Sequence, residues 1–258
     1  MGRIWERCVH HAHMRMIAPV CSSLILYPSS LLRWGWCMVP QIHPILQRQF
    51  PEALWGGPNE QTTIALTFDD GPDVRDTPAL LDVLARHGTR ATFFWLGERM
   101  QALPELAQAA DAAGHQIAIH GYRHQAFPLV SASVLRMGLN RTRGLIAEAT
   151  GQNPATIRDV RPPYGIFTPH TLTLLARWQY RPVMWTVVPG HWLQPAAATV
   201  QQVVTQTRAG AILVLHEGQR RGPPVAALTD TILTRLSAAG WRYVTVDTLW
   251  QARWKDEG

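Results

Sequence analysis

Thr63-Ile64-Ala65-Leu66-Thr67-Phe68-Asp69-Asp70-Gly71-Pro72 is the stretch whose reading decides the fold. Its short, apolar, partly β-branched beginning has the pattern of a buried strand. Gly71-Pro72 is turn chemistry, so the two acids stand where the strand runs out into a loop. Adjacent like charges are costly unless something compensates them, and a divalent cation is the usual compensator. In isolation an Asp-Asp-Gly is more often a solvated turn. The weight therefore falls on what the chain brings to the same place.

A second element supplies candidate ligands. His120-Gly121-Tyr122-Arg123-His124 follows another strand-like run, Gln116-Ile117-Ala118-Ile119. Histidines at i and i+4 share a face if the loop turns helically, so both imidazoles can meet one ion. Two histidines and one carboxylate leave positions open for water and substrate. A lone HxxxH is often just two surface histidines; paired with the acids at a strand end it becomes a candidate metal site.

On these residues the chain resembles the NodB-like polysaccharide deacetylases, carbohydrate esterase family 4. The first family motif, T-F-D-D-G, is intact at 67–71, and the second, usually H-[ST]-x-x-H, is present with Gly121 in place of the hydroxyl residue. The third, R-x-P-Y, is Arg161-Pro162-Pro163-Tyr164, and the fifth, L-x-L-H, is Leu213-Val214-Leu215-His216 followed by Glu217. Order and spacing match from Thr62 to Leu249. The fourth motif departs: Trp192 is kept, but His191 stands where the family commonly has Asp, and Val188 where an earlier Asp is frequent.

The resemblance implies one divalent cation, zinc being the ion expected, held by Asp70, His120 and His124. It implies Asp69 as general base, Arg161 paired with it, and His216 as the acid that protonates the leaving amine. A backbone N–H at Tyr164 would stabilise the oxyanion, and Trp192 with Leu213 or Leu215 would line a small pocket for the acetyl methyl. The implied activity is metal-dependent removal of N-acetyl groups from an N-acetylglucosamine-type polysaccharide, peptidoglycan or chitin-like. Two alternatives stand beside it: an O-acetyl-polysaccharide esterase, and a catalytically weak glycan-binding domain. Without the motif-four Asp the protonated form of His216 is less favoured, which lowers its pKa, unless Asp159 or Glu217 approaches instead. Gly121 removes a hydroxyl behind the ligands and loosens them modestly.

The rest of the chain fits an ordinary globular protein. At 258 residues and 47% hydrophobic it can bury one α/β barrel. Net charge is +6, with Lys255 the only lysine, and an anionic envelope or polymer is one partner that charge would suit. No basic cluster interleaved with aromatics marks a nucleic-acid surface, and the partner the resemblance implies is an acetylated glycan. Residues 1–57 read as an N-terminal extension and lead-in, and 58–258 as the deacetylase domain. The extension holds all three cysteines, Cys8, Cys21 and Cys37, and the uncharged run Met16 to Leu32 after Arg3, Arg7 and Arg15. That charge order suits a signal or anchor and so an extracytoplasmic or membrane-associated protein; Pro19, Pro28 and the serines suit a disordered extension equally. Leu46, Phe50, Leu54 and Trp55 are the lead-in's candidate anchors.

From Thr62 onward, strand and helix patterns alternate. Strands are expected at 62–68, 90–96, 116–120, just before Arg161, and at 182–187, 211–216 and 242–246. Helices are expected at 78–87, 103–113, 132–149, 169–178, 200–208 and 225–239. Such alternation implies right-handed βαβ units and a parallel sheet. Asp69, His120, Arg161 and His216 each follow a strand, and strand ends converge in a closed barrel, whereas they are strung out along an open sheet. The expected architecture is a distorted (β/α) barrel of about seven parallel strands.

Overall fold

The structure is a computed structural model and describes residues 45–58 and 62–255, with side chains to 252. The cysteines, the histidines at 10, 11 and 13, and the Met16–Leu32 run lie outside the described residues. Among those described, no helix is long and apolar enough to cross a membrane.

Seven strands run parallel: β1 (Thr63–Asp69), β2 (Thr92–Trp95), β3 (Gln116–Ile119), β4 (Asp159–Val160), β5 (Arg181–Pro182), β6 (Ile212–His216) and β7 (Arg242–Val244). Around them lie α1 (Asp76–Arg86), α2 (Gly97–Ala102), α3 (Pro104–Ala112), α4 (Ala132–Thr150), α5 (Pro169–Arg177), α6 (Ala196–Gln206), α7 (Val225–Ala238) and α8 (Val246–Lys255). The sheet order is β5-β4-β3-β2-β1-β6, with β7 beside Thr63–Ala65 of β1. Single parallel bridges, Leu54 to Val183 and Val187 to Leu213, carry the edge beyond β5 round to β6. The sheet is thus curled into an incomplete barrel, the distorted barrel expected from the sequence.

Period-two alternation sorts the side chains. Ile64, Leu66 and Phe68 of β1 join Leu80, Val83 and Leu84 of α1 and Leu228, Ile232 and Leu236 of α7 in the layer between sheet and helices. Ala65 of β1, Phe94, Ala118, Val183 and Ile212 form the inner cluster, closed by Val246, Leu249 and Trp250 of α8. Below them a polar tier seals the amino ends of the strands. There Arg181 Nε and Gln116 Nε2 donate to Asp159 at 2.8 and 2.6 Å, and Arg181 Nη2 to Asp247 at 2.7 Å.

The structure differs from the sequence reading in three elements. The strand expected over 182–187 shrinks to Arg181–Pro182 and two isolated bridges, because the chain there leaves β4 and crosses to β6. α2 is absent from the expected helices: six residues are too few to display a helical period. α8 lies where the sequence reading ends on the last strand, although Val246, Leu249 and Trp250 recur at i, i+3 and i+4. The lead-in is packed as well: Leu54 and Trp55 are buried, and Leu46 and Phe50 pack against the Ala53–Trp55–Met184 cluster.

Candidate active site and metal centre

The carboxyl ends of β1, β3, β4 and β6 bring Asp69, Asp70, His120, Arg161 and His216 to one end of the barrel. Asp69 ends β1 and is 3% exposed; its register neighbour on β6 is His216. Arg161 is fully buried and donates from Nη1 to Asp69 Oδ1 at 2.6 Å and to Thr67 Oγ1 at 2.8 Å. Nη2 donates to the Met184 carbonyl at 3.0 Å, and the guanidinium lies 4.0 Å over the Phe94 ring. Burial pushes the Arg161 guanidinium down and the Asp69 carboxylate pulls it back up. Removing either partner leaves a buried unpaired charge, which costs about 3–5 kcal/mol.

Asp70 departs from the strand with φ 74°, a left-handed turn that swings its carboxylate away from that of Asp69. Asp70 Oδ1 lies 3.4 Å from His120 Nε2 and 3.2 Å from His124 Nε2. These three atoms lie within 4.8 Å of one another. His120 Nδ1 donates to the Arg161 carbonyl at 2.8 Å, so in the neutral ring Nε2 bears no hydrogen and aims its lone pair at the carboxylate. Asp70 Oδ1 is buried and has no hydrogen-bond donor. Converging lone pairs with no proton between them are what a cation resolves, so the residues fit a metal ion with one carboxylate and two imidazoles. Burial by itself raises the Asp70 carboxyl, but contact with His120 and the charges of His216 and His124 outweigh it, leaving it well below the usual carboxylate range. His124 is pushed down by burial, against the pull of Asp70.

Two glycines carry this geometry. Gly121 has φ 98°, and its carbonyl accepts from Thr142 Oγ1 of α4 at 3.2 Å, so the loop between the ligands is anchored by a threonine brought from another element. A Cβ on Gly71 would lie 2.2 Å from Glu217 Oε1 and 2.4 Å from Trp95 Nε1. Only glycine lets the turn after Asp70 pass so close.

On the other side of the cleft, burial pushes His216 down, and Asp69 and Asp70 pull it up. His191 is fully buried, and its Nε2 accepts the backbone N–H of His216 at 3.0 Å. Burial and the neighbouring His216 push the His191 imidazole down to about 3. Nδ1 of both rings is buried without a hydrogen-bond partner. Neither expected substitute carboxylate approaches. Glu217 accepts from Thr77 Oγ1, and from Trp95 Nε1 at 2.6 Å. Asp159 belongs to the polar tier at the opposite end of the strands.

Trp192 stands edge-on to His216, ring centroids 4.7 Å apart. Tyr164 is 61% exposed, has φ 60°, and meets His124 edge-on at 4.3 Å. Leu213 and Leu215 are not brought to the cleft. Both belong to the layer between sheet and helices, because positions one and three before His216 face away from it. Val214, two before His216, is a buried β6 residue that shares its face. Thr142 and the Met184 carbonyl carried no sequence signal, since each arrives from a distant element.

A family model described as polysaccharide deacetylase matches residues 56–183. A Bacillus cereus peptidoglycan-N-acetylglucosamine deacetylase is 32% identical over 201 residues, 76% of this chain and 71% of the relative. A Sinorhizobium fredii chitooligosaccharide deacetylase is 36% identical over 176 residues, 66% of this chain and 77% of the relative. A longer Listeria monocytogenes peptidoglycan-N-acetylglucosamine deacetylase is 32% identical, and the match spans only 38% of its length. Among solved structures, a peptidoglycan N-acetylglucosamine deacetylase aligns with TM-score 0.73 and 28% identity, covering 78% of this chain and 93% of that one. A Bacillus anthracis family 4 pseudoenzyme shares the fold, with TM-score 0.68 and 24% identity over 76% of this chain and 67% of its own. The fold and the site define a hydrolase-type (β/α) scaffold with a candidate metal centre. The chain belongs to the polysaccharide deacetylase family, the NodB-homology type of carbohydrate esterase family 4.

Proposed function

We propose that this protein is a metal-dependent hydrolase that removes N-acetyl groups from an N-acetylglucosamine-type polysaccharide, peptidoglycan or chitin-like, outside the cytoplasm. The observation that carries the reading is the convergence of Asp70, His120 and His124 beside a buried Asp69–Arg161 pair. The names of the relatives, peptidoglycan-N-acetylglucosamine and chitooligosaccharide deacetylases, support the substrate class.

A divalent ion held by Asp70 Oδ1 and the Nε2 atoms of His120 and His124, zinc being the expected species, would polarise the acetyl carbonyl and acidify water. Asp69 takes the proton of the attacking water, and Arg161, hydrogen-bonded to Oδ1, holds its carboxylate in place. The backbone N–H of Tyr164 donates to the tetrahedral oxyanion. His216 protonates the leaving amine from the opposite side. Trp192 and Val214, beside His216, exclude water from around the acetyl methyl.

Acetate release from an N-acetylglucosamine oligomer tests this, run from about pH 5 to 9 with added zinc and with chelator. Release that requires metal and is abolished in Asp69→Asn is the expected result. One observation favours a second reading: His191 deprives His216 of a carboxylate, and an ester, whose leaving alcohol departs more readily than an amine, depends less on that acid. Release from O-acetylated glycan alone would favour the esterase. Silence on both substrates would sink the catalytic reading and leave a glycan-binding domain.

A further inference from the structure

The loop after β6, Glu217 to Pro224, lies along the segment from Asp69 to Asp76, and four polar contacts join the two. Glu217 N–H donates to the Asp69 carbonyl at 2.9 Å, Gly218 N–H to Asp76 Oδ2 at 2.7 Å, and Arg220 Nη2 meets Asp73 Oδ2 at 3.2 Å. The fourth is different in kind: Gln219 Nε2 donates to Asp70 Oδ2 at 3.3 Å. Among these contacts it alone touches a member of the metal cluster.

A carboxylate offers two oxygens and rotates about its own bond unless one is held. In Asp70, Oδ2 is held by Gln219, and Oδ1 faces both imidazoles, buried and without a donor. The chemistry of the holder matters too. A guanidinium or ammonium at this point would neutralise the charge the cation needs, whereas a neutral amide orients the carboxylate and leaves that charge intact. The two neighbouring acids are thereby treated oppositely: Asp69 receives the Arg161 cation, and Asp70 receives an uncharged donor.

We infer that Gln219 is a positioning residue for the metal centre, holding Asp70 Oδ2 so that Oδ1 alone is presented, fully charged, to the cation. This rests on the metal-dependent reading of the site. The test is zinc affinity of the full chain, measured by competition with a chromophoric chelator, for the parent, Gln219→Met, Gln219→Lys and Arg220→Met. Gln219→Met should weaken zinc binding about tenfold, and Gln219→Lys more than that. Arg220→Met, which removes another contact of the same loop, should stay within about twofold of the parent. The thermal midpoint of the metal-free Gln219→Met protein should match the parent's, separating the effect from a general loosening.

Parent-like affinity in Gln219→Met would overturn the inference, as would equal losses in Gln219→Met and Arg220→Met. A parent that binds no zinc would overturn both this inference and the metal reading. Zinc affinity that depends on Gln219, with no acetate released, would support the positioning role and refute only the proposed reaction.

Discussion

His191 illustrates how one residue can redirect the proton chemistry of a site. A carboxylate at this position would favour the imidazolium form of His216; His191, held down to about 3 by burial and by His216, stays neutral instead. Its Nε2 is committed to the backbone N–H of His216, so it steadies the main chain and leaves the ring's Nδ1 unsupported. His191→Asp should therefore raise the pKa of His216 and increase acetate release near neutrality, by up to about tenfold if the His216 titration moves up by about one pH unit. Matching pH–rate profiles for parent and variant would overturn this role. The missing carboxylate was legible in the sequence. The sequence could not tell which atom of His191 is engaged, nor that Glu217, adjacent to His216, faces Thr77 and Trp95. Those choices depend on what packs behind the strand end.

At the scale of elements, Glu217 ties β6 to α1 and β2 through Thr77 and Trp95. Burial pushes its carboxyl from 4.5 up to about 8, although those two hydrogen bonds pull the other way. Between these values the unfolded chain has released the proton that the folded protein keeps. The unfolded state then binds fewer protons, so this residue's contribution to stability is full at low pH and falls as pH rises through that window. The slope is at most about 1.4 kcal/mol per pH unit. His191 and His115, pushed down by burial to about 3 and about 4, act with the opposite sign as pH rises toward 6.5. The difference between parent and Glu217→Gln in denaturant midpoints, taken from about pH 5 to 8, isolates the Glu217 effect. A parent that loses no stability relative to the variant across that range would refute it. The strands β1, β2, β3 and β6 were legible because their apolar runs are continuous, as fully buried parallel strands require. α2 was not, because one and a half turns are too short to carry a period, and the strand expected over 182–187 was legible in place but not in extent.

For the whole molecule, the lead-in matters more than its place at the margin of the sequence suggests. Leu54 N–H donates to the Pro182 carbonyl at 2.8 Å, and its own carbonyl accepts from Met184 N–H at 2.8 Å, which adds a rung where the sheet turns back toward β6. Truncation to 58–258 should lower stability by several kcal/mol, since losing one buried leucine alone costs about 2–5 kcal/mol. A chain beginning at 40 keeps these contacts and should have the higher thermal midpoint of the two truncations. Equal midpoints for the two truncations would show the lead-in to be dispensable.

The sequence by itself determined the parallel α/β class and the strand-end stations of Asp69, Asp70, His120, Arg161 and His216. It could do so because period-two and helical patterns, turn residues and motif spacing are local properties. Only the tertiary structure decided that Asp70 Oδ1 is left without a hydrogen-bond donor, that Leu213 and Leu215 face the helices, and that Gln219 reaches the metal cluster. The Asp69–Arg161 and Asp70–Gln219 contacts join residues 92 and 149 positions apart. No local pattern encodes such contacts; they form when the sheet curls and its strand ends meet.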